Sequence, residues 1–210
     1  MQHCLVRFFL EHAACAMLAV AQKASGVTDM GNVAEIERYT VEDYRRWEGD
    51  WELIYGAPLA MAPSPIVDHQ RLCAEIHAQL YEALDDCPHC EALYEIDVQF
   101  AADTVVRPDV LVICYKPQGD WLTQAPDLIF EVVSKTTARR DEVTKLELYR
   151  AEGVAHYVLV YPDSNKAKVY RLIEGAYRKV GDFNCERHVF ELSKCTIDFD
   201  FARLWRRKGG

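Results

Sequence analysis

Apolar and polar residues follow regular periods from about residue 40 onward. Thr40-Val41-Glu42-Asp43 opens a short helix to about Trp47, with Thr40 as its N-cap and acidic residues in the first turn. Trp51 to Tyr55 reads as a strand, Gly56-Ala57-Pro58 as a turn, and Leu59 to Ala62 as a second strand broken by Pro63-Ser64-Pro65. Leu72, Ile76, Leu80 and Leu84 recur at helical spacing and predict a helix from Ile66 to Leu84. Leu93 to Phe100 and Val105 to Cys114 are rich in β-branched and aromatic residues, and Ala101-Ala102-Asp103-Thr104 joins them as a hairpin. Leu128 to Val133 is a compact apolar run. Thr137 to Glu152 has helical periodicity and ends at Gly153. Strands follow at His156 to Tyr161, Lys168 to Leu172 and Tyr177 to Val180, the first two separated by the turn Pro162-Asp163-Ser164-Asn165. Uniformly apolar runs suit strands covered on both faces. The order predicts an α/β fold: one mixed β-sheet flanked by helices.

The length of 210 residues suits one domain with an appendage. Cys4 to Ala21 is apolar, but Glu11 and His12 interrupt it and the runs are short for a membrane span. Residues 1–29 therefore read as an N-terminal extension outside the core, and 30–210 as the domain. The net charge of −9 argues against a protein that coats nucleic acid through a broad basic surface. It is compatible with an acidic site that takes a cation. Arg139 and Arg140, and the tail Arg203, Arg206, Arg207 and Lys208, are local basic clusters.

The eight cysteines are irregularly spaced in a chain too large for a disulfide-stapled miniature domain. Cys73 and Cys114 read as core thiols and the compartment as a reducing cytoplasm. Cys87-Pro88-His89-Cys90 follows a predicted helix and precedes a strand, the reverse of a redox motif, and no second C-x-x-C completes a zinc site. It reads as a structural turn.

Two carboxylates interrupt apolar runs: Asp109 in Val105 to Ile113, and Glu131 in Leu128 to Val133. A charge in a covered strand is costly unless compensated, and two such charges repel. A bound divalent cation resolves both problems, and hard oxygen ligands favour magnesium, calcium or manganese. Two other accounts compete: Pro108-Asp109 as a strand-edge turn, and Glu131 paired with a buried arginine such as Arg107.

Arg107-Pro108-Asp109, Ala125-Pro126-Asp127-Leu128-Ile129-Phe130-Glu131-Val132-Val133-Ser134 and Lys145-Leu146-Glu147-Leu148-Tyr149-Arg150-Ala151-Glu152-Gly153-Val154 together resemble the Uma-two family of endonucleases. Trp51 to Gly56, Pro63-Ser64-Pro65 and His69 fit the same pattern, so the resemblance runs from about Val41 to Leu172. It implies a restriction-endonuclease-like core of the PD-(D/E)xK type. In that core Asp109 and Glu131 would be metal carboxylates and Glu52 a third acidic group at the metal. The superfamily's usual lysine position is Val133 here. The family draws the lysine from the following helix, which corresponds to Lys145, one helical turn from Tyr149. The sequence departs from the family at Ala57, where an acidic residue is common, and at Lys135, where proline is usual. Lys135 is thus a rival for the lysine role.

The implied activity is divalent-metal-dependent phosphodiester hydrolysis in nucleic acid, DNA by analogy, by a cytoplasmic homodimer without membrane contact. Glu52, Asp109, Glu131 and Lys145 would be the catalytic set, with Mg2+ or Mn2+ on the carboxylates. Arg139 and Arg140 read as helix-end charge with a secondary option of phosphate contact. The competing class is a catalytically silent binding or assembly module built on the same core.

Overall fold

The computed structural model describes residues 37–61 and 66–206. The extension 1–29, the domain start at Met30, the Pro63-Ser64-Pro65 break and the basic residues Arg207 and Lys208 lie outside the described residues.

Helix α1 (Val41–Tyr44) begins as the sequence indicates. The Thr40 hydroxyl accepts from the Asp43 backbone, and the Asp43 carboxylate accepts from the Thr40 backbone in return. Strands β1 (Trp51–Ile54) and β2 (Ala57–Ala60) form a hairpin whose turn residues Tyr55 and Gly56 both have positive φ. Helix α2 (Val67–Ala83) buries Leu72, Ile76 and Leu80.

The long hairpin expected between residues 93 and 114 exists, but each arm is broken. One arm is β3 (Glu91–Tyr94) and β4 (Val98–Ala101); the other is β5 (Thr104–Val106) and β6 (Val110–Ile113). The breaks face each other: Glu95, at φ +50, donates its N–H to the Asp109 carbonyl at 3.2 Å. Pro108 has no N–H to give a ladder, which explains the break on its arm. The outer half of the hairpin pairs with β1 in a four-stranded sheet, order β2-β1-β5-β4. The inner half joins β7 (Leu128–Val132), β8 (His156–Tyr161), β9 (Lys166–Ile173) and β10 (Ala176–Phe183) in a six-stranded sheet, order β10-β9-β8-β7-β6-β3. The single sheet read from the sequence is therefore divided between two.

The central strands of the larger sheet are β7 (Leu128–Val132) and β8 (His156–Tyr161), paired parallel with Glu131 opposite Leu159. Parallel neighbours need a crossover. It is a helical segment containing a π-helical stretch, Arg140–Lys145, followed by α3 (Leu146–Ala151). Gly153, at φ +83, follows it. Strands β9 (Lys166–Ile173) and β10 (Ala176–Phe183) extend the sheet, leaving β10 at its edge. A further hairpin, β11 (Arg187–Glu191) and β12 (Thr196–Asp200), forms its own two-stranded sheet.

Residue parity sorts the core. Val110, Val112, Leu128, Phe130, Val132, Val158 and Val160 face α2 and the β11–β12 hairpin. Leu111, Ile113, Ile129, Tyr157 and Leu159 face α3 with Leu148 and Tyr149. Among the described residues no helix is long and apolar enough to cross a membrane.

The cysteines correct the sequence reading. Cys114 is not a lone core thiol: it is joined to Cys90, and Cys87 to Cys195, as disulfides. Cys73 is a buried free thiol.

Candidate active site

Glu131 lies in mid-strand on the α3 side of the six-stranded sheet and is buried. Its Oε1 accepts two hydrogen bonds, from Lys145 Nζ and from Tyr149 Oη, each at 2.9 Å. Lys145 Nζ also reaches Glu52 Oε1 at 2.7 Å. Glu52 sits on β1 and is fully buried; the same oxygen accepts the Arg107 backbone N–H at 3.0 Å. One ammonium therefore bridges a carboxylate from each sheet.

Asp109 stands at the hairpin break rather than inside a covered strand, and its side chain is partly exposed. Its Oδ2 accepts the Val132 N–H at 2.6 Å, which anchors it beside the strand that carries Glu131. His69, in the first turn of α2, brings Nε2 within 3.4 Å of the same oxygen, and Cys73 Sγ lies 3.5 Å from the other ring nitrogen. His69, Cys73 and Asp109 present ligand atoms all within 4.8 Å of one another.

The π-helical stretch contributes more than Lys145. Such bulges often occur where a helix must aim side chains into a functional site. Asp141 is buried, and Arg140 approaches both Glu52 Oε2 at 3.4 Å and Asp141 Oδ1 at 3.7 Å. Tyr157 Oη fixes this stretch by donating to the Asp141 carbonyl at 3.0 Å.

Charge in this region does not balance. Glu52, Asp109, Glu131 and Asp141 bring four carboxylates, whereas Lys145 and Arg140 bring two cations. Burial pushes the Glu131 carboxyl up to about 8; Lys145 opposes that shift, and Asp109, Asp141 and Glu52 add to it. Burial likewise raises Asp141. Burial disfavours the Lys145 ammonium, but Glu131, Glu52 and Asp141 outweigh it and hold the lysine protonated. Burial also opposes charge on His69, yet the Asp109 carboxylate raises its pKa above the ordinary value. Glu52 Oε2 and Asp141 Oδ1 are buried without a hydrogen-bond partner. An excess of hard oxygen ligands, some of them unsatisfied, is the donor set that suits a divalent cation.

Glu52, Glu131 and Lys145, singled out in the sequence, are thus in direct contact, and Asp109 borders them. Lys135 lies elsewhere: its side chain is 90% exposed and points toward Asp163 at 3.6 Å. Arg107 does not pair with Glu131; its guanidinium binds Asp97 and Asp50. Arg139 is exposed and Arg140 turns inward, so the pair does not act as a unit. Asp141 and the Tyr149 hydroxyl were not anticipated. A signal existed: Asp141, Lys145 and Tyr149 are spaced by four residues and share one helix face.

Mixed sheets flanked by helices, with carboxylates and a lysine gathered between two of the sheets, define an α/β class. The solved structure of "a putative nuclease belonging to DUF820" from Anabaena variabilis ATCC 29413 has the same fold: the TM-score is 0.65 at 16% identity, covering 80% of this chain and 97% of that one. Residues 41–194 match the model of the Uma2 family, described as "Putative restriction endonuclease". The chain belongs to the Uma2 family. No protein of curated function matches it.

Proposed function

We propose that this protein is a divalent-metal-dependent endonuclease that hydrolyses phosphodiester bonds in DNA. The observation that carries the reading is the buried carboxylate excess around Lys145. Asp109 and Glu131, with Glu52 behind them, would hold Mg2+ or Mn2+. When bound, such an ion neutralises phosphate charge and lowers the pKa of a coordinated water.

The chain's own residues do the rest. Glu52 and Glu131 keep the Lys145 ammonium protonated and fixed between them, so its charge is pre-organised toward a phosphate at low dielectric. Tyr149 gives the same Glu131 oxygen a second hydrogen bond, which limits its rotation. The Val132 N–H does the same for Asp109. His69 sits at the more open side of the group, beside Asp109. Arg140 offsets part of the carboxylate charge at Glu52 and Asp141.

In this reading the protein is a cytoplasmic homodimer; β10 at the sheet edge offers a pairing surface. The test is nicking of supercoiled plasmid in Mg2+ or Mn2+, with and without chelator. Metal-dependent conversion to open circles, lost in Asp109→Asn, supports the reading. A chain that binds DNA or the metal but leaves plasmid intact over long incubation supports the silent module instead.

A further inference from the structure

Four cysteines that play no part in the carboxylate site converge at the opposite side of the six-stranded sheet. Cys87 and Cys90 belong to the turn after α2, in which Cys87 N–H donates to the Leu84 carbonyl at 2.8 Å and Cys90 N–H to the Cys87 carbonyl at 3.1 Å. Cys114 directly follows β6, where the register Glu91 to Ile113 sets it opposite Cys90. Cys195 comes from the β11–β12 turn, closed by the Leu192 N–H to the Cys195 carbonyl at 2.8 Å. Three segments distant in sequence thus deliver four sulfurs to one place.

The two bridges lie against each other, so the four sulfurs form a single cluster. Cys87, Cys90 and Cys195 have sulfurs all within 4.8 Å of one another, and Cys114 is in direct contact with Cys90. Cys90 and Cys195, which share no disulfide, are 3.7 Å apart. A tetrahedron with Zn–S bonds of about 2.3 Å has edges of about 3.8 Å. Cys87, Cys90 and Cys114 are buried and Cys195 is partly so, which suits a closed structural centre rather than an open catalytic one.

We propose that Cys87, Cys90, Cys114 and Cys195 form a structural zinc site that clamps the C-terminal hairpin to the core. The two disulfides and the tetrathiolate are alternative uses of the same four sulfurs, and in a reducing compartment thiols so placed are metal ligands. The C-x-x-C turn supplies one half of the centre, and the missing second half is split between a strand end and a hairpin turn. The clamp adds to weaker ties between hairpin and core: the Ser193 N–H to Asp127 Oδ1 at 2.8 Å, and His156 Nε2 against the Glu191 carbonyl at 2.9 Å.

The test is metal analysis of the full chain, purified anaerobically with no added reductant and equilibrated with zinc, together with alkylation of its thiols after denaturation in chelator. The expected result is one zinc per chain, all four sulfurs alkylated, and zinc lost in both Cys114→Ser and Cys195→Ser. Asp109→Asn should retain its zinc, which separates this centre from the carboxylate site. Cobalt substitution gives a second reading on wild type alone: a thiolate-to-cobalt charge-transfer band is expected even if a variant fails to fold. Zinc-free protein whose four sulfurs resist alkylation until reduced would overturn the proposal in favour of two disulfides. Zinc retained by both serine variants, or lost in Asp109→Asn, would overturn it by placing the ion elsewhere.

Discussion

Even- and odd-numbered residues of β6, β7 and β8 look in opposite directions, and the two faces are held by different physics. On the even face Phe130 packs among Phe190 and Phe199, with ring centroids 5.9 and 5.1 Å away, and its partners on the sheet are aliphatic. That face needs only volume and apolar area. On the odd face Ile129 and Leu159 surround Glu131, and the helix above answers with Lys145 and Tyr149. Here burial is costly for each polar atom without a partner, so the same depth of burial calls for specific partners, which Glu131 Oε1 has and Glu52 Oε2 lacks. A replaceable core and a site thus lie on opposite faces of the same three strands.

The largest expected effects come from breaking each face at its centre. Phe130→Ala should cost about 3–5 kcal/mol through lost burial and a residual cavity. Lys145→Met, nearly equal in volume, should cost a similar amount, about 3–5 kcal/mol, because it leaves Glu52 and Glu131 buried without their cation. The two variants should separate in the nicking assay. Lys145→Met is expected to lose on the order of a hundredfold or more in rate, the loss typical of removing a pre-organised charge, whereas folded Phe130→Ala cuts normally. Denaturant unfolding and nicking, both measured on each variant, check this. A Lys145→Met chain as stable as wild type would show that the odd face does not depend on its charge pairing.

Asp109→Asn sharpens the contrast at smaller energy. A ligand at a hundred times its Kd stabilises a folded protein by about 2.7 kcal/mol, so Mg2+ or Mn2+ should raise the melting temperature of wild type and of Phe130→Ala. The rise should vanish in Asp109→Asn, while the fold persists because the amide oxygen can still accept the Val132 N–H. An undiminished metal response in the variant would remove Asp109 from the ligand set. Tyr149→Phe follows, with an expected loss of about 1 kcal/mol for one hydrogen bond to Glu131, read by the same denaturant titration.

The sheet and α2 parts of the even face were legible from the sequence, because the apolar run of β7 and the helical spacing in α2 carry them. So were Glu131 and Asp109, as charges breaking apolar runs, although Asp109 turned out to mark a strand break. The resemblance, not the pattern, brought in Glu52 and Lys145. What escaped were features set by distant contacts. Glu95 adopts a positive φ that no local signal for a non-glycine residue announces. The π-helical stretch keeps the same apolar residues as an α-helix, so periodicity does not reveal it. The sulfur cluster depends on pairings across 24 and 108 residues. The β11–β12 hairpin was also missed, although a signal existed: Ile197, Phe199 and Phe201 alternate with aspartates in a plain strand period.

The smallest expected effect tests whether the odd face is as selective as its geometry implies. Lys135 stands only four residues after Glu131 in the chain, and strand alternation would have set it on the same side had β7 continued. Instead β7 ends at Val132, and the Ser134 N–H donates to the Thr137 hydroxyl at 3.1 Å in the turn that leads into the helix. That turn carries Lys135 into solvent, where it lies 3.6 Å from an Asp163 side chain that is itself 78% exposed. Exposed pairs of this kind contribute little, since both groups keep their hydration and ordering them is entropically unfavourable. Lys135→Met should therefore leave the melting midpoint, the metal response and the nicking rate unchanged, in the same experiments in which Lys145→Met fails. A loss of cleavage in Lys135→Met with Lys145→Met still active would transfer the lysine role to the turn and make the Glu52–Lys145–Glu131 group a purely structural bridge.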